Sequence, residues 1–459
     1  QRQSRLSRAT VTPRAALPGD ALARLHASFP EKYPVLLESA GGGAPLGRYD
    51  VLLALPGARL VQAADGSLQG HRQDSGQRFL DALDSWVSAE RAPAAGRGSP
   101  FAGGWFLYLG YELAAEIEPS LELPRAHHAR AIAWRMRGAV VRDRISGEVS
   151  VMAEGDASAA LSRQVDVDLG CLRPSTDGIG HLLDGRVVEE PPERFLRGVQ
   201  AVLDAIARGD VYQANLSRGW QATLADGATA ADLYLRLRSA NPAPFAGSAA
   251  LPGFDLLCSS PERLLHIREG VAHTRPIAGT RPRGQTSLAD ATLKRELVLN
   301  EKERAEHVML VDLERNDLGR ICQGGTVEVD EFMTVETYAT VHHIVSNVRG
   351  SLRAGVTPGQ AIAAVFPGGT ITGCPKVRCM QLLADLEREP RDAYTGSMGY
   401  LGVDGALDLN ILIRTLAVAG RRIDFRTGAG IVADSQPAAE LDETRAKAQG
   451  LLRALGEKA

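Results

Sequence analysis

The sequence predicts an α+β protein, because its strand-like and helix-like stretches are grouped rather than strictly alternated. Three observations carry this expectation. Short apolar runs separated by Gly/Pro turns fill residues ~11–160, with one helical interruption. A strongly amphipathic run follows near residue 193 and leads into a second set of strands. Asp404-Gly405 stands between two apolar runs, which is the signature of an antiparallel hairpin.

In chain order, Tyr33–Leu37, Tyr49–Leu55, Gly104–Leu109 and Ala139–Asp143 read as strands, and Gln77–Ser88 reads as a helix. Cys171 to Glu193 has linker composition and ends in prolines that suit a helix start. The expected boundary therefore divides the chain into regions 1–185 and 186–459. Glu193–Arg208 places Phe195, Val199, Val202, Leu203 and Ile206 on one helical face. Strands are expected at Val211–Ser217, Asp255–Cys258, Val271–Thr274, Gly396–Val403 and Leu407–Leu416. One long helix is expected over Leu288–Val311, and a last helix begins near Ser435 with Pro437 early in it.

Composition excludes several classes of function. The chain has 459 residues, 44% of them hydrophobic, which is ample for a core of more than one ordinary domain. Its 52 basic and 55 acidic residues are mixed along the chain, leaving a net charge of -3. That balance gives no footprint for nucleic acid or an anionic membrane. Five cysteines form no CxxC pair and no zinc pattern, as expected in a reducing compartment. No apolar run reaches the ~18 residues of a membrane helix. The basic opening Gln1–Thr10 precedes no hydrophobic segment and reads as a loose terminus. A cytoplasmic location is the expectation.

Two acid pairs stand out. Glu303 and Glu306 are three apart in a helical stretch and share a face, and Glu440 and Glu443 repeat the spacing in the last helix. Four such carboxylates suit a hard cation such as Mg²⁺, though acids in a first helical turn are also favoured by the helix dipole alone. The segment Phe366-Pro-Gly-Gly-Thr-Ile-Thr-Gly-Cys-Pro-Lys376 is a Gly-rich turn feeding a helix N-terminus, fit for a carboxylate or simply a tight turn. It lacks the Walker A spacing. Thr427–Ser435 reads as a second Gly-rich turn without Rossmann context. Arg414, inside an apolar strand-like run, must meet an anion, either a substrate carboxylate or a structural partner. Glu262 in Ser260-Pro-Glu-Arg263 sits at a turn after an apolar strand, as a turn cap or a desolvated general acid. His342-His343 reads as a satisfied core pair. Cys374 has no adjacent histidine and is not expected to act as a nucleophile.

The motifs occur in an order that resembles the chorismate-utilising family of anthranilate, aminodeoxychorismate, isochorismate and salicylate synthases. They run through Asp210–Ser217, Ser260–Arg263, Arg275–Thr280, Glu306–Leu318, Pro367–Lys376, Gly399–Leu401, Ile413–Thr415 and Gly428–Ser435, so the resemblance covers about residues 190–455. It implies stacked antiparallel sheets with helices outside. It also implies Glu306 and Glu443 as main Mg²⁺ ligands with Glu303 and Glu440 in support, and Glu262 as the acid that protonates the departing C4 hydroxyl of chorismate. Arg414, Tyr394, Gly428 and Gly430 would surround the enolpyruvyl carboxylate. Gly279, Thr280, Thr370 and His343 would line the ring side, and Lys376 would serve the catalytic turn. Ammonia would come from a separate glutamine amidotransferase, component II. Leu37-Glu38-Ser39 resembles the tryptophan-contact segment of anthranilate synthases and equally suits a plain strand end.

Within the family, isochorismate and salicylate synthases carry a water-activating lysine where this chain has Gln213, so water addition is not expected. Asn215, the Phe366-Pro-Gly-Gly and Ile371-Thr-Gly strings and His342-His343-Ile-Val-Ser are similar to aminodeoxychorismate synthase component I, the para-aminobenzoate and folate branch. Ala278 departs from that type, which carries a lysine nucleophile there, and agrees with anthranilate synthase. The expected function is Mg²⁺-dependent amination of chorismate to 4-amino-4-deoxychorismate. Anthranilate formation is the first alternative and a non-catalytic chorismate-binding subunit the second.

Overall fold

Successive side chains of a strand point to opposite faces, and this decides how the strands stack. A computed structural model describes residues 9–40, 47–71, 76–92, 100–172, 181–338 and 341–457. Its strands form one continuous network of 21, and every strand pairing among the described residues is antiparallel. A long ribbon of Tyr49–Gln62 against Ala131–Asp143, with a register shift between Pro56 and Arg59, joins two layers.

From one half of the ribbon the first layer runs through Val35–Glu38, Phe245–Leu251, Phe254–Ser260, Thr415–Ala419, Arg422–Ile431 and Gln213–Thr223. From the other half the second layer runs through Gly104–Leu109, Ser397–Gly402, Leu407–Asn410, Arg263–Arg268, Val271–Arg275 and Val341–Ser351. Val51 and Leu53 pack in one cluster with Phe106, Tyr108, Leu256 and Cys258, between the layers. Leu52, Ala54 and Leu257 point outward to the helices Ala21–Ser28, Ser158–Leu169, Ala230–Ala240 and Pro437–Leu455. Leu107 and Leu109 point the other way, to Phe79–Glu90, Glu301–Gly319 and Pro358–Val365. Two sheets packed face to face with helices outside are the expected architecture.

Strands from both sides of residue 185 pair in each layer, Val35–Glu38 with Phe245–Leu251 and Gly104–Leu109 with Ser397–Gly402. The hydrogen-bonded network therefore does not divide at the expected boundary. The Arg173–Gly178 part of the expected linker and the first eight residues lie outside the described residues.

Three local expectations need correction. The single helix expected over Leu288–Val311 is two helices, Ser287–Leu299 and Glu301–Gly319. Asn300 takes an extended ψ of 108° and its side chain accepts a hydrogen bond from the Glu303 amide, ending one helix and capping the next. The strand expected through Leu407–Leu416 breaks into Leu407–Asn410 and Thr415–Ala419. Arg414 lies between them at φ 53°, a left-handed backbone that no strand interior accommodates. Gly428 and Gly430 belong to a strand, Arg422–Ile431, rather than a Gly-rich turn. Ten consecutive pairings with Gln213–Thr223 hold it extended.

The segments that frame the site converge on a buried ion pair. Glu387 ends the helix Lys376–Glu387, and its carboxylate accepts from Arg391 Nη2 at 2.7 Å and Nε at 2.8 Å. The same carboxylate accepts from the amide and hydroxyl of Ser217, both at 2.8 Å. Arg391 also donates to the carbonyls of Asn215 at 2.7 Å and Ile371 at 3.3 Å. Arg391 and Arg426 together hold Glu387 below its ordinary carboxylate range, against the opposing effect of burial.

Arg391→Met is expected to destabilise the chain by about 3–5 kcal/mol in denaturant unfolding, because Glu387 remains buried without its partner. Because the folded Glu387 value is depressed, the pair's contribution is present above the ordinary value of 4.5 and is lost as pH falls through the depressed one. Acid unfolding of the parent should start in that range, and unfolding of Arg391→Met should depend less on pH there.

Candidate active site

Glu262 follows the strand Phe254–Ser260 and is 5% exposed. Thr370 Oγ1, from the Gly-rich segment, donates to its Oε1 at 2.8 Å. Burial pushes the carboxyl up to about 7, opposed by the Thr370 hydrogen bond and by the positive charges of Lys447 and Arg414. A carboxyl poised there keeps its proton in part at neutral pH and can give it up, as a general acid must.

Arg414 is enclosed enough that burial lowers its proton affinity, while Glu262 and Tyr394 raise it. Its guanidinium has no ion pair or side-chain hydrogen bond among the described residues, so the structural-partner reading of the sequence is not realised. The left-handed backbone at Arg414 places it between the strands instead of inside one. An enclosed, unpaired guanidinium is a binding site for an anion.

Tyr394 lies beside Gly428, where an added Cβ would come within 2.5 Å of the Tyr394 hydroxyl. At Gly430 a Cβ would stand 2.6 Å from Gln213 Nε2. Glycine at both positions lets the strand approach these side chains closely. Asn215 Nδ2 reaches the Tyr394 hydroxyl at 3.4 Å and the Ile371 carbonyl at 3.1 Å. Gln213 Oε1 is buried without a partner. Gln213 and Asn215, family discriminants in the sequence and not expected site residues, are placed by cross-strand pairing, Asn215 with Gly430 and Gln213 with Cys374.

Thr280 Oγ1 and His343 Nδ1 are 2.9 Å apart. Burial, with the nearby Arg414 charge, lowers His343 to about 4, so its ring is neutral near pH 7. His342 meets Asp290 at 2.9 Å and Thr337 at 2.9 Å, the satisfied pair the sequence suggested. Ala278 is buried and pairs with Ile344, and the register shifts between Ala278 and Thr280. Gly279 takes the bulge at φ 77°, and a Cβ there would stand 2.5 Å from Glu303 Oε2.

Glu303 and Glu306 lie on the helix Glu301–Gly319, and Glu440 and Glu443 on Pro437–Leu455. Glu303 Oε1 accepts from Arg281 at 2.6 Å, while Oε2 is buried without a hydrogen bond. Glu440 is buried, and Glu443 pairs with Lys447 at 2.7 Å. No group of three or more acids, histidines or cysteines among the described residues is gathered tightly enough to hold a metal by itself. Mg²⁺ keeps several waters and needs only one or two protein carboxylates directly. Hard oxygen donors and one orphaned buried carboxylate oxygen fit such an ion.

Lys376 is engaged elsewhere. Its ammonium meets Asp317 Oδ2 at 2.6 Å and the Val365 carbonyl at 3.3 Å, which makes it a tie beneath the Gly-rich segment. Lys447, absent from the expected set, donates to the Gly428 carbonyl at 3.0 Å and adds positive charge near Glu262. Its spacing of four from Glu443 was the available signal. The Leu37-Glu38-Ser39 segment is internally satisfied: Glu38 accepts from Tyr234 at 2.7 Å and Arg238 at 2.7 Å, and the Ser39 amide donates to Asp50 Oδ1 at 3.0 Å.

Residues 48–453 match the chorismate binding enzyme family. Aminodeoxychorismate synthase component 1 of Bacillus subtilis is 37% identical over 92% of this chain and 92% of its own length. Anthranilate synthase component 1 of Aquifex aeolicus is 35% identical over 92% of this chain and 89% of its own. The crystal structure of anthranilate synthase component I from Streptococcus pneumoniae superposes with a TM-score of 0.76 at 30% identity, covering 89% of this chain and 92% of that one. With the fold, the acid at Glu262 and the unpaired Arg414 in place, the chain belongs to the chorismate binding enzymes.

Proposed function

We propose that the chain aminates chorismate to 4-amino-4-deoxychorismate in a Mg²⁺-dependent reaction, drawing ammonia from a glutamine amidotransferase partner. The observation that carries this reading is the buried Glu262, held by Thr370 and poised near 7, beside the unpaired Arg414. Chorismate bears two carboxylates and a C4 hydroxyl that leaves only when protonated. Arg414 would take the enolpyruvyl carboxylate with Tyr394 beside it, which fixes the substrate at one end. The protonated Glu262 would pass its proton to the C4 oxygen as the C4–O bond breaks. Neutral His343, tied to Thr280, would pack on the ring without adding charge. Glu306 and Glu443, supported by Glu303 and Glu440, would hold Mg²⁺, which supplies positive charge for the ring carboxylate.

Gln213 offers no base to activate water, and this supports amination over hydration. Asn215 beside Tyr394 and the double histidine favour the aminodeoxychorismate product. The second reading, anthranilate formation, is favoured by Ala278, whose methyl cannot form the covalent adduct of a lysine. Relatives of both kinds match over most of the chain. That no helix of the described residues is long and apolar enough to cross a membrane accords with a cytoplasmic setting.

Product identity decides between the readings. Chorismate, Mg²⁺ and an ammonium salt should give a product of the mass of 4-amino-4-deoxychorismate, converted to para-aminobenzoate only when a lyase is added; fluorescent anthranilate without lyase would establish the second reading. Ala278→Lys should change the product ratio or trap an adduct visible by mass. Glu262→Gln should lower kcat by at least about 10²-fold while substrate binding persists. Because the acid must be protonated, kcat/KM should fall as pH rises through about 7. Chelation should abolish turnover and added Mg²⁺ restore it, with Glu306→Gln raising the Mg²⁺ requirement at least tenfold.

A further inference from the structure

The loop that carries Tyr394 runs against ordinary backbone preference. Arg388, Asp392 and Thr395 take left-handed φ angles of 55°, 49° and 62°, although none is a glycine. Such conformations persist only where the surroundings fix them. Much of the fixing comes from the first part of the chain, through a carboxyl that the proposed chemistry does not touch. Glu112, in the short turn Tyr111–Leu113 after the strand Gly104–Leu109, is 2% exposed. Its Oε1 accepts from the Arg391 amide at 2.7 Å and its Oε2 from the Asp392 amide at 3.1 Å. The Tyr111 amide donates to the Asp392 carbonyl at 2.8 Å. The Arg391 guanidinium lies 4.9 Å from the centre of the Tyr111 ring and 5.5 Å from that of Tyr394, so it links the two. Asp392 returns the contact, its carboxylate accepting from the amides of His127 at 2.8 Å and His128 at 3.3 Å. Beyond Tyr394, the Thr395 amide donates at 2.8 Å to the carbonyl of Leu412, two residues before Arg414.

We propose that Glu112 is a positioning residue for the substrate. By holding the Arg391 and Asp392 amides it sets Tyr394 against Gly428, and the first part of the chain thereby takes part in binding the enolpyruvyl carboxylate. This rests on the place given to Tyr394 and Arg414 above. The Glu387 ion pair holds Arg391 by its side chain. The direction of the chain after Arg391 is set instead by the two amides that Glu112 takes. Tyr394 follows at once, its own amide bonded to the Arg391 carbonyl at 2.9 Å. The Tyr394 hydroxyl has little latitude, since a Cβ on Gly428 would stand 2.5 Å from it and Asn215 Nδ2 is 3.4 Å away. A small turn of the loop would carry that hydroxyl off its position beside Arg414 or into the strand. A carboxyl suits the task, because two neighbouring backbone donors need two acceptor oxygens at fixed spacing. Glutamine offers one oxygen and sets an N–H against the other amide.

The test is kcat and KM for chorismate, measured on the full chain with Mg²⁺ and an ammonium salt. Glu112→Gln should raise KM about three- to tenfold and keep kcat within about twofold, since the loss falls on substrate binding. Tyr394→Phe alone should also raise KM. In the Tyr394→Phe background, Glu112→Gln should change KM by less than about twofold, because the residue it acts through has lost its hydroxyl. Glu112→Asp keeps both oxygens and should fall between the parent and Glu112→Gln; it decides the case if the Gln variant does not fold. A parental KM in Glu112→Gln while Tyr394→Phe is impaired, or effects that multiply in the double variant, overturns the proposal and leaves Glu112 a purely structural carboxyl. A parental KM in Tyr394→Phe would instead overturn the place of Tyr394, so the two failures are distinct.

Discussion

The ion pair of Glu387 and Arg391 lies where four segments meet, and the site takes its shape from it. Glu387 closes a helix, Ser217 and Asn215 belong to a central strand, Ile371 to the Gly-rich segment, and Arg391 opens the loop that carries Tyr394. Neither ion could remain buried alone, because desolvation of an unpaired charge exceeds what a few dipoles return. Each partner is therefore held by several hydrogen bonds, and each bond fixes a different stretch of backbone. Tyr394, Asn215 and the Thr370 turn are positioned as a group rather than one by one.

Around that anchor the molecule separates two electrostatic tasks. Charges with structural work are paired at close range: Glu387 with Arg391, Asp317 with Lys376, Glu38 with Arg238 and Arg263 with Asp408. Groups at the candidate site are less completely matched. Arg414 has no ion pair among the described residues, Glu262 is held by the Thr370 hydroxyl and the Ile277 backbone, and Glu303, though paired with Arg281, leaves one carboxylate oxygen without a hydrogen bond. Buried polar groups are ordinarily satisfied, so a cluster of exceptions in one place marks where a ligand supplies the missing interactions. The depressed His343 and the raised Glu262 follow from the same enclosure, which disfavours whichever form is charged.

The two-layer sheet explains how residues far apart in sequence reach this place. The strands from Gln213 and from Arg422 lie side by side, which sets Asn215 opposite Gly430 and Ser217 opposite Gly428. The strands from Ile277 and Val341 pair, which brings Thr280 to His343. The two acid-bearing helices, Glu301–Gly319 and Pro437–Leu455, pack on different layers.

Much of this was legible in the sequence, and for identifiable reasons. The continuous apolar run Gly104–Leu109, the Asp404-Gly405 hairpin and the amphipathic face of Pro192–Ala207 follow from local chemistry, which a sequence displays directly. The order of motifs further implied Glu262, Thr370, His343, Tyr394 and Arg414 as neighbours. What it could not display was anything set by non-local pairing. Asn300 reads as one polar residue in a helical run, and its extended backbone and its cap on the Glu303 amide make it a break. Gly428 and Gly430 read as a turn until ten cross-strand pairings extend them. Lys376 reads as a reactive cation until Asp317, 59 positions earlier, is placed 2.6 Å away. Residue types and their local periodicity determined the elements and the chemistry available. Which charges are matched, and which are left to face a ligand, was decided only by tertiary structure, because Coulombic and desolvation energies depend on distances that the sequence does not contain.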